Sequence, residues 1–319
     1  MDAEPLVEVL RGEVVECVHA GHAAVCEADG TLRAAWGDPE TVILPRSSCK
    51  MIQALPLVEA GEEDPRRLAL ACASHQGAAI HVRLVEAWLE EMGLSDADLR
   101  CGAQPPRDLA ERDALIRAGE APRQAHNNCS GKHAGFLRVA REVGGGPDYV
   151  APDHPVQRAA RAAFEEATGA PSPVWAIDGC SAPNLACGLR GLATAMARFA
   201  LGEGPRGAAM VRLREAMTAH PDLVAGEGRA CTALMRAAEG VAVKVGAEGV
   251  YVAILPGAGL GVALKVVDGA SRASECAMAA ILARLGALDP ESPLVAPAIR
   301  NWRGIVTGSV RPAATLRPV

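Results

Sequence analysis

Along this chain the spacing of apolar residues changes period twice. Up to residue 45 they alternate or run in short blocks: Val14-Val15-Glu16-Cys17, Ala23-Ala24-Val25-Cys26, Leu32 to Trp36 after an Asp29-Gly30 turn, and Val42-Ile43-Leu44. Short valine-rich blocks bounded by turn residues predict an antiparallel meander. Pro45 closes it. From Ser47 the spacing turns helical through Met51, Ala54, Leu55 and Val58, with a kink predicted at Pro56 and an end at Gly61. Helical periodicity then dominates up to Gly240, over 80–93, 107–118, 130–142, 155–168, 191–201, 205–219 and 230–239, with one short strand, Val174 to Ile177, interrupting it. Beyond Gly240 the β pattern returns in 241–245, 249–255 and 260–267, followed by an amphipathic helix over 271–286 and a last strand near 304–311.

With β-rich ends and a helical middle, the chain predicts one α/β unit spanning 1–319. Its sheet is antiparallel, built from both chain ends (about 1–65 and 240–319) and flanked by helices. A mainly helical subdomain, about 66–239, is inserted, with a cleft expected at the junction. The glycine run Gly257-Ala258-Gly259-Leu260-Gly261 has the wrong spacing for a dinucleotide loop and no helix after it, so it predicts a hairpin connection.

Composition narrows the class. Half of the 319 residues are hydrophobic, enough to bury a large core. A net charge of −6, with arginines scattered among carboxylates, leaves no basic stripe for nucleic acid and no polybasic membrane patch. Met1-Asp2-Ala3-Glu4-Pro5 resembles no signal peptide and no apolar run is long enough to span a bilayer, so the expectation is a cytoplasmic protein without nucleic-acid or membrane partners. In that compartment ten cysteines mean buried thiols, metal ligands or catalysis rather than disulfides. Cys17, Cys26, Cys72, Cys187, Cys231 and Cys276 sit in largely apolar contexts and read as small hydrophobes; Cys49, Cys129 and Cys180 stand apart.

Lysine is scarce: four residues, Lys50, Lys132, Lys244 and Lys265, among 32 basic ones. A lysine can lose its proton when buried or flanked by cations, and arginine cannot. Ser47-x-x-Lys50 sets hydroxyl and amine one turn apart at a predicted helix N-terminus, where backbone N–H groups favour an incipient alkoxide. That is the arrangement of SxxK acyl-transfer enzymes, with Ser48 as the other hydroxyl; the plain alternative is a capping serine beside a surface lysine. In Asn127-Asn128-Cys129-Ser130-Gly131-Lys132-His133, Lys132 follows Cys129 by one turn, and Cys180 sits in the strand-then-turn stretch Ile177-Asp178-Gly179-Cys180. Cys129, Lys132 and Cys180 could together hold zinc, with His133 a competing ligand, or be buried thiols flanking a capped helix. Ser74-His75 offers a hydroxyl and an imidazole for a relay, more often a capping arrangement, and Lys244 on a strand reads as solvated.

Ser47-Ser48-Cys49-Lys50, Cys72-Ala73-Ser74-His75, Asn128-Cys129-Ser130-Gly131-Lys132-His133, Ile177-Asp178-Gly179-Cys180, Val224-Ala225-Gly226-Glu227-Gly228-Arg229 and Lys244-Val245-Gly246-Ala247 occur in the order found in one family. Over Leu6 to Pro312 the chain resembles the asparaginase II, or rhizobial-type class 3, L-asparaginases. That resemblance implies a serine β-lactamase-like fold, a homodimer, and hydrolysis of L-asparagine to L-aspartate and ammonia. It implies Ser47 as nucleophile, Lys50 as general base, Ser74 and Lys244 as a second Ser-Lys pair, and Cys129, Lys132 and Cys180 as zinc ligands. Asp178 would orient the metal ligands, the Ser47 N–H would form half of an oxyanion hole, and Arg46, His133, Glu227 and Arg229 would bind substrate charges. Cys49, His75-Gln76-Gly77-Ala78 and Gly257-Ala258-Gly259 depart from the family pattern and bear on specificity. Two other readings remain open: a penicillin-binding or β-lactamase-like SxxK hydrolase, and a non-catalytic protein in which zinc only staples the subdomains together.

Overall fold

The computed structural model describes residues 3–317, which divide into two compact units. One unit gathers the chain up to Ser48, Cys187–Leu201 and the chain from Ala233. Its core is an eight-stranded antiparallel sheet. The order is Ala298–Arg300, Val306–Pro312, Glu4–Arg11, Val14–Cys26, Leu260–Val266, Val250–Leu255, Ala242–Val245, with Leu32–Trp36 also paired to Val14–Cys26. Both chain ends thus supply the antiparallel sheet, as the alternation of apolar residues predicts.

Val14–Cys26 is a single 13-residue strand rather than the two short ones that the pattern suggests. Gly21, at its middle, does not turn because it is held on both sides, opposite Glu4 in one neighbour and Val266 in the other. A Cβ there would lie 2.4 Å from the Lys265 carbonyl oxygen, so only glycine lets the neighbours close in.

Helices Leu189–Leu201 and Ser271–Arg284 pack against this sheet. The predicted hairpin connection is a 3-10 turn, Pro256–Ala258, closed by Gly259 at φ +65°. Gly261, two residues later, is where helix Leu189–Leu201 touches the sheet: an added Cβ would lie 2.1 Å from the Ala193 oxygen and 2.2 Å from the Ala197 nitrogen. Those are backbone atoms and cannot swing aside. Gly261→Val should therefore lift the helix and cost about 3 kcal/mol of stability, read as a lowered urea midpoint. An unchanged midpoint would mean that the helix yields freely.

The second unit, Cys49–Ala186 with Gly202–Thr232, is mainly helical. At its centre helix Ser130–Val143 is buried on all sides over its first eight residues, Ser130 to Leu137. Gly131 makes this possible: a Cβ there would meet the Leu70 carbonyl oxygen at 2.4 Å, so helix Pro65–Ala71 comes within backbone contact. Lys132 and His133 are thereby fixed in the interior. The strand predicted at Val174–Ile177 is one arm of a ribbon, Trp175–Ile177 paired with Pro183–Leu185, and Cys180 lies in its turn.

The helix expected to open at Ser47 does not. Arg46, at φ +53°, starts a 3-10 turn, Arg46–Cys49; the α-helix begins at Lys50 and ends at Gln53, and Leu55–Glu59 follows with Pro56 in its first turn. Proline is tolerated in a first turn, where its missing N–H has no partner to lose, so the expected kink becomes a break. Among the described residues no helix is long and apolar enough to cross a membrane.

Candidate active site

Lys50, the first residue of its helix, is 1% exposed. Its Nζ donates to the Ala73 carbonyl, to Ser74 Oγ at 3.1 Å, to the Asn128 carbonyl at 3.5 Å and to Cys129 Sγ at 3.1 Å. An amine has three protons at most, so four acceptors hold this one tightly and from several sides. Ser74 is fixed through its backbone. Its N–H donates to the Val224 carbonyl and that of Gln76 to the Ala225 carbonyl, at 2.9 and 3.0 Å, while Gly226 leaves room for the Gln76 side chain. The turn that carries Glu227, exposed, and Arg229, half-buried, is thereby tied to the Ser74 segment.

Cys129 precedes helix Ser130–Val143 and is set by Asn127, whose Oδ1 accepts its N–H at 2.9 Å. One turn later Lys132 Nζ donates to Cys180 Sγ at 3.0 Å and lies 5.5 Å above the Phe136 ring. Cys180 is held by its tight turn: Asp178 N–H donates to the Ala182 carbonyl, Ser181 N–H to the Asp178 carbonyl, and Ser181 has φ +71°. The thiol is 3% exposed. Cys129 keeps its proton, which faces both Asn128 Oδ1, at 2.9 Å, and the Cys180 sulfur. That hydrogen bond, with the Lys132 ammonium and against the cost of burial, holds Cys180 far below the usual thiol range. Burial opposes the charge on Lys132, but the Cys180 and Cys129 sulfurs outweigh it and raise its pKa.

Two sulfurs and an amine nitrogen therefore converge, a soft donor set that fits zinc. Among the described residues no three His, Cys, Asp or Glu side chains cluster as a metal site, so a metal here needs neutral Lys132 as its third ligand. His133, the competing nitrogen, has a buried Nε2 without a well-formed hydrogen bond, although its ring interacts with the Cys180 sulfur. Burial lowers its pKa to about 4 and keeps it neutral, and its Nδ1 lies 2.8 Å from the Tyr149 hydroxyl, which accepts the Arg100 N–H.

Arg46, Ser47 and Lys244 belong to the sheet unit. Lys244 is not solvated, as its strand position suggested: it is fully buried and donates to the Val245 carbonyl at 2.7 Å. Two residues on, Gly246 abuts the Pro45–Ser48 segment, where a Cβ would meet the Pro45 oxygen at 2.6 Å and Ser48 Cβ at 3.3 Å. Ser48, buried, donates to the Pro45 carbonyl at 2.8 Å, whereas Ser47 is half-buried.

The His75 ring is held between the Gly77 backbone and Ser130. Its Nδ1 accepts the Gly77 N–H at 3.1 Å and its Nε2 donates to Ser130 Oγ at 3.0 Å, while its ring stacks on His81 at 4.7 Å. His81 donates from Nε2 to the Asp222 carbonyl at 2.9 Å. Burial lowers the His81 pKa below 6.5, so its contribution to stability is present above about pH 6.5 and is lost as the pH falls through the folded value. Urea unfolding of His81→Gln should show a smaller loss of stability between pH 7 and pH 5 than the parent. An equal loss would place the titration elsewhere.

Cys49, Asn128 and Tyr149 are also drawn into the helical unit's interior network. Burial pushes the Cys49 thiol up to about 12, against the nearby Lys132 charge, so it stays a neutral thiol. The Asn127-Asn128 pair before Cys129 carried a local signal, a capping sequence, but Tyr149 carried none.

The L-asparaginase II family matches residues 7–312. Comparison with curated proteins gives no match. Among solved structures the chain is similar to Mglu in its Tris and glutamate form, with 14% identity and a TM-score of 0.47 over 86% of this chain and 61% of that one. It thus spans less than two thirds of the Mglu chain. It is also similar to a β-lactamase from Mycobacterium bovis, with 14% identity and a TM-score of 0.35 over 82% of this chain and 94% of that one. Since the family match runs through all but the outermost residues, the chain belongs to the L-asparaginase II family.

Proposed function

We propose that this protein hydrolyses L-asparagine to L-aspartate and ammonia through a Ser-Lys acyl-enzyme. Family membership supports an L-asparaginase-type hydrolase. The observation that carries the finer reading is Lys50, an amine in the interior whose Nζ touches the Ser74 hydroxyl and the Cys129 sulfur. A buried amine is costly and serves chemistry that arginine could not.

Ser47 Oγ attacks the side-chain carboxamide carbon as Lys50, neutral at that moment, takes its proton; the proton passes to the amide nitrogen and ammonia leaves. Water then attacks the β-aspartyl ester, with the same lysine as base, and returns Ser47. Ser74 and Lys244 form a second Ser-Lys pair, and the Ser47 N–H faces the developing oxyanion. Arg46, His133, Glu227 and Arg229 meet the charges of the amino acid. Cys129, Lys132 and Cys180 would hold zinc, which when bound supplies a positive charge beside the substrate. We propose a cytoplasmic homodimer.

The test is ammonia release from asparagine and from glutamine, and acylation by a β-lactam, with and without chelator, together with metal content. Asparagine turnover without β-lactam acylation supports the proposal. Stoichiometric zinc with no turnover would favour a structural staple, and β-lactam acylation without amidase activity would favour a penicillin-recognising enzyme.

A further inference from the structure

Nine of the ten cysteines are buried, and Cys17 alone is partly open to solvent. The sequence treats it as a small hydrophobe, but the structure gives it company. Cys17 and His19 are two residues apart on strand Val14–Cys26, so their side chains share a face of the sheet. Cys17 Sγ lies 3.7 Å from His19 Nε2. His19 Nδ1 lies 2.6 Å from Asp268 Oδ2, and Arg272 Nε donates to the same His19 Nε2 at 3.1 Å. The imidazole is 4% exposed, and Asp268 is anchored by the Ala270 N–H at 2.9 Å.

These contacts fix the tautomer. A carboxylate at Nδ1 keeps the proton there, so Nε2 is the lone-pair nitrogen that accepts from Arg272 and faces the thiol. The order is nucleophile, base and orienting acid, as in a hydrolytic triad. Arg272 reaches the same nitrogen as the thiol.

We propose that Cys17, His19 and Asp268 form a second nucleophilic site, whose reaction is thiol–disulfide exchange with small electron-poor disulfides. As the Arg272 N–H releases the Nε2 lone pair, His19 Nε2 takes the Cys17 proton. The sulfur attacks one sulfur of R–S–S–R; the new Cys17–S–S–R bond forms as the old S–S bond breaks, and the leaving R–S⁻ carries away the electron pair and then the proton. There is no net oxidation, since one disulfide replaces another. His19 and Asp268 are positioning residues for the thiol.

A purely structural role for the trio would tie the strand to the start of helix Ser271–Arg284 and predicts the opposite response to mutation. Loosening the tie would open Cys17 and speed its labelling, whereas removing a base slows it. The folded full-length protein is treated with 5,5′-dithiobis(2-nitrobenzoate), an aromatic disulfide, and the modified peptide is located by mass. One equivalent should react at Cys17 at least about tenfold faster than any other cysteine, because the others are buried. His19→Asn and Asp268→Asn should each slow that phase about tenfold. Cys17→Ser should remove it, and in denaturant the two slowed variants should react like the parent. Asp268, half-exposed in its loop, keeps the test valid if His19→Asn fails to fold. A fast phase at another cysteine, or variants that react as fast as the parent or faster, would overturn the proposal.

Discussion

Lys50→Met should lower kcat/KM for asparagine by about three orders of magnitude or more, and Ser47→Ala by a similar factor, because a base and its nucleophile act as a unit. Methionine matches the length of the lysine stem but has no amine. Its loss also leaves the Ala73 and Asn128 carbonyls, Ser74 Oγ and Cys129 Sγ without their shared donor, so the unfolding midpoint must be measured beside the rate. Lys50→Arg separates the two roles of the amine. A guanidinium keeps the charge but cannot accept a proton, so a proton-transfer role predicts that Arg is as inactive as Met, and a purely electrostatic role predicts partial rescue. Asparagine hydrolysis surviving in folded Lys50→Met or Ser47→Ala would sink the assignment of both residues.

What the sequence made legible was periodic or local. Alternating valines announced an antiparallel sheet from both chain ends, and the helix holding Lys132 was visible in its 3.6-residue spacing and in the asparagines before it. The rarity of lysine drew attention to Lys50 and Lys132, and both are buried, with a cysteine sulfur against each amine. What stayed hidden depends on partners distant in the chain. Gly21 resembles a turn residue, yet stays extended because neighbours hold it from both edges. Lys244 looked solvated, since nothing local says that its strand is buried on both faces. Ser74-His75 reads more often as a capping arrangement than as a relay, and nothing local shows that the His75 ring reaches Ser130, 55 positions away. Cys17 shows the same limit. His19 is visible two residues on, but Asp268 lies 249 positions from that histidine.

Lys132→Met provides the sharper test of the sulfur cluster, because two roles for this lysine predict different results in chelator. A metal ligand matters only when metal is present. A counter-ion for Cys180 matters always: the ammonium touches the Cys180 sulfur at 3.0 Å in a buried setting, and taking away one partner of such a pair leaves the other charge uncompensated. Breaking a buried pair this way costs about 3 kcal/mol or more, and recapture of a proton by Cys180 sets the lower end of that range. With chelator present, Lys132→Met should therefore unfold at a clearly lower urea concentration than the parent. With zinc at 100 times its Kd the parent should gain about 2.7 kcal/mol and the variant far less, because it has lost a ligand. Equal midpoints in chelator would remove the ion pair and leave Lys132 to the metal alone. Undiminished zinc content in the variant would instead remove Lys132 from the ligand set.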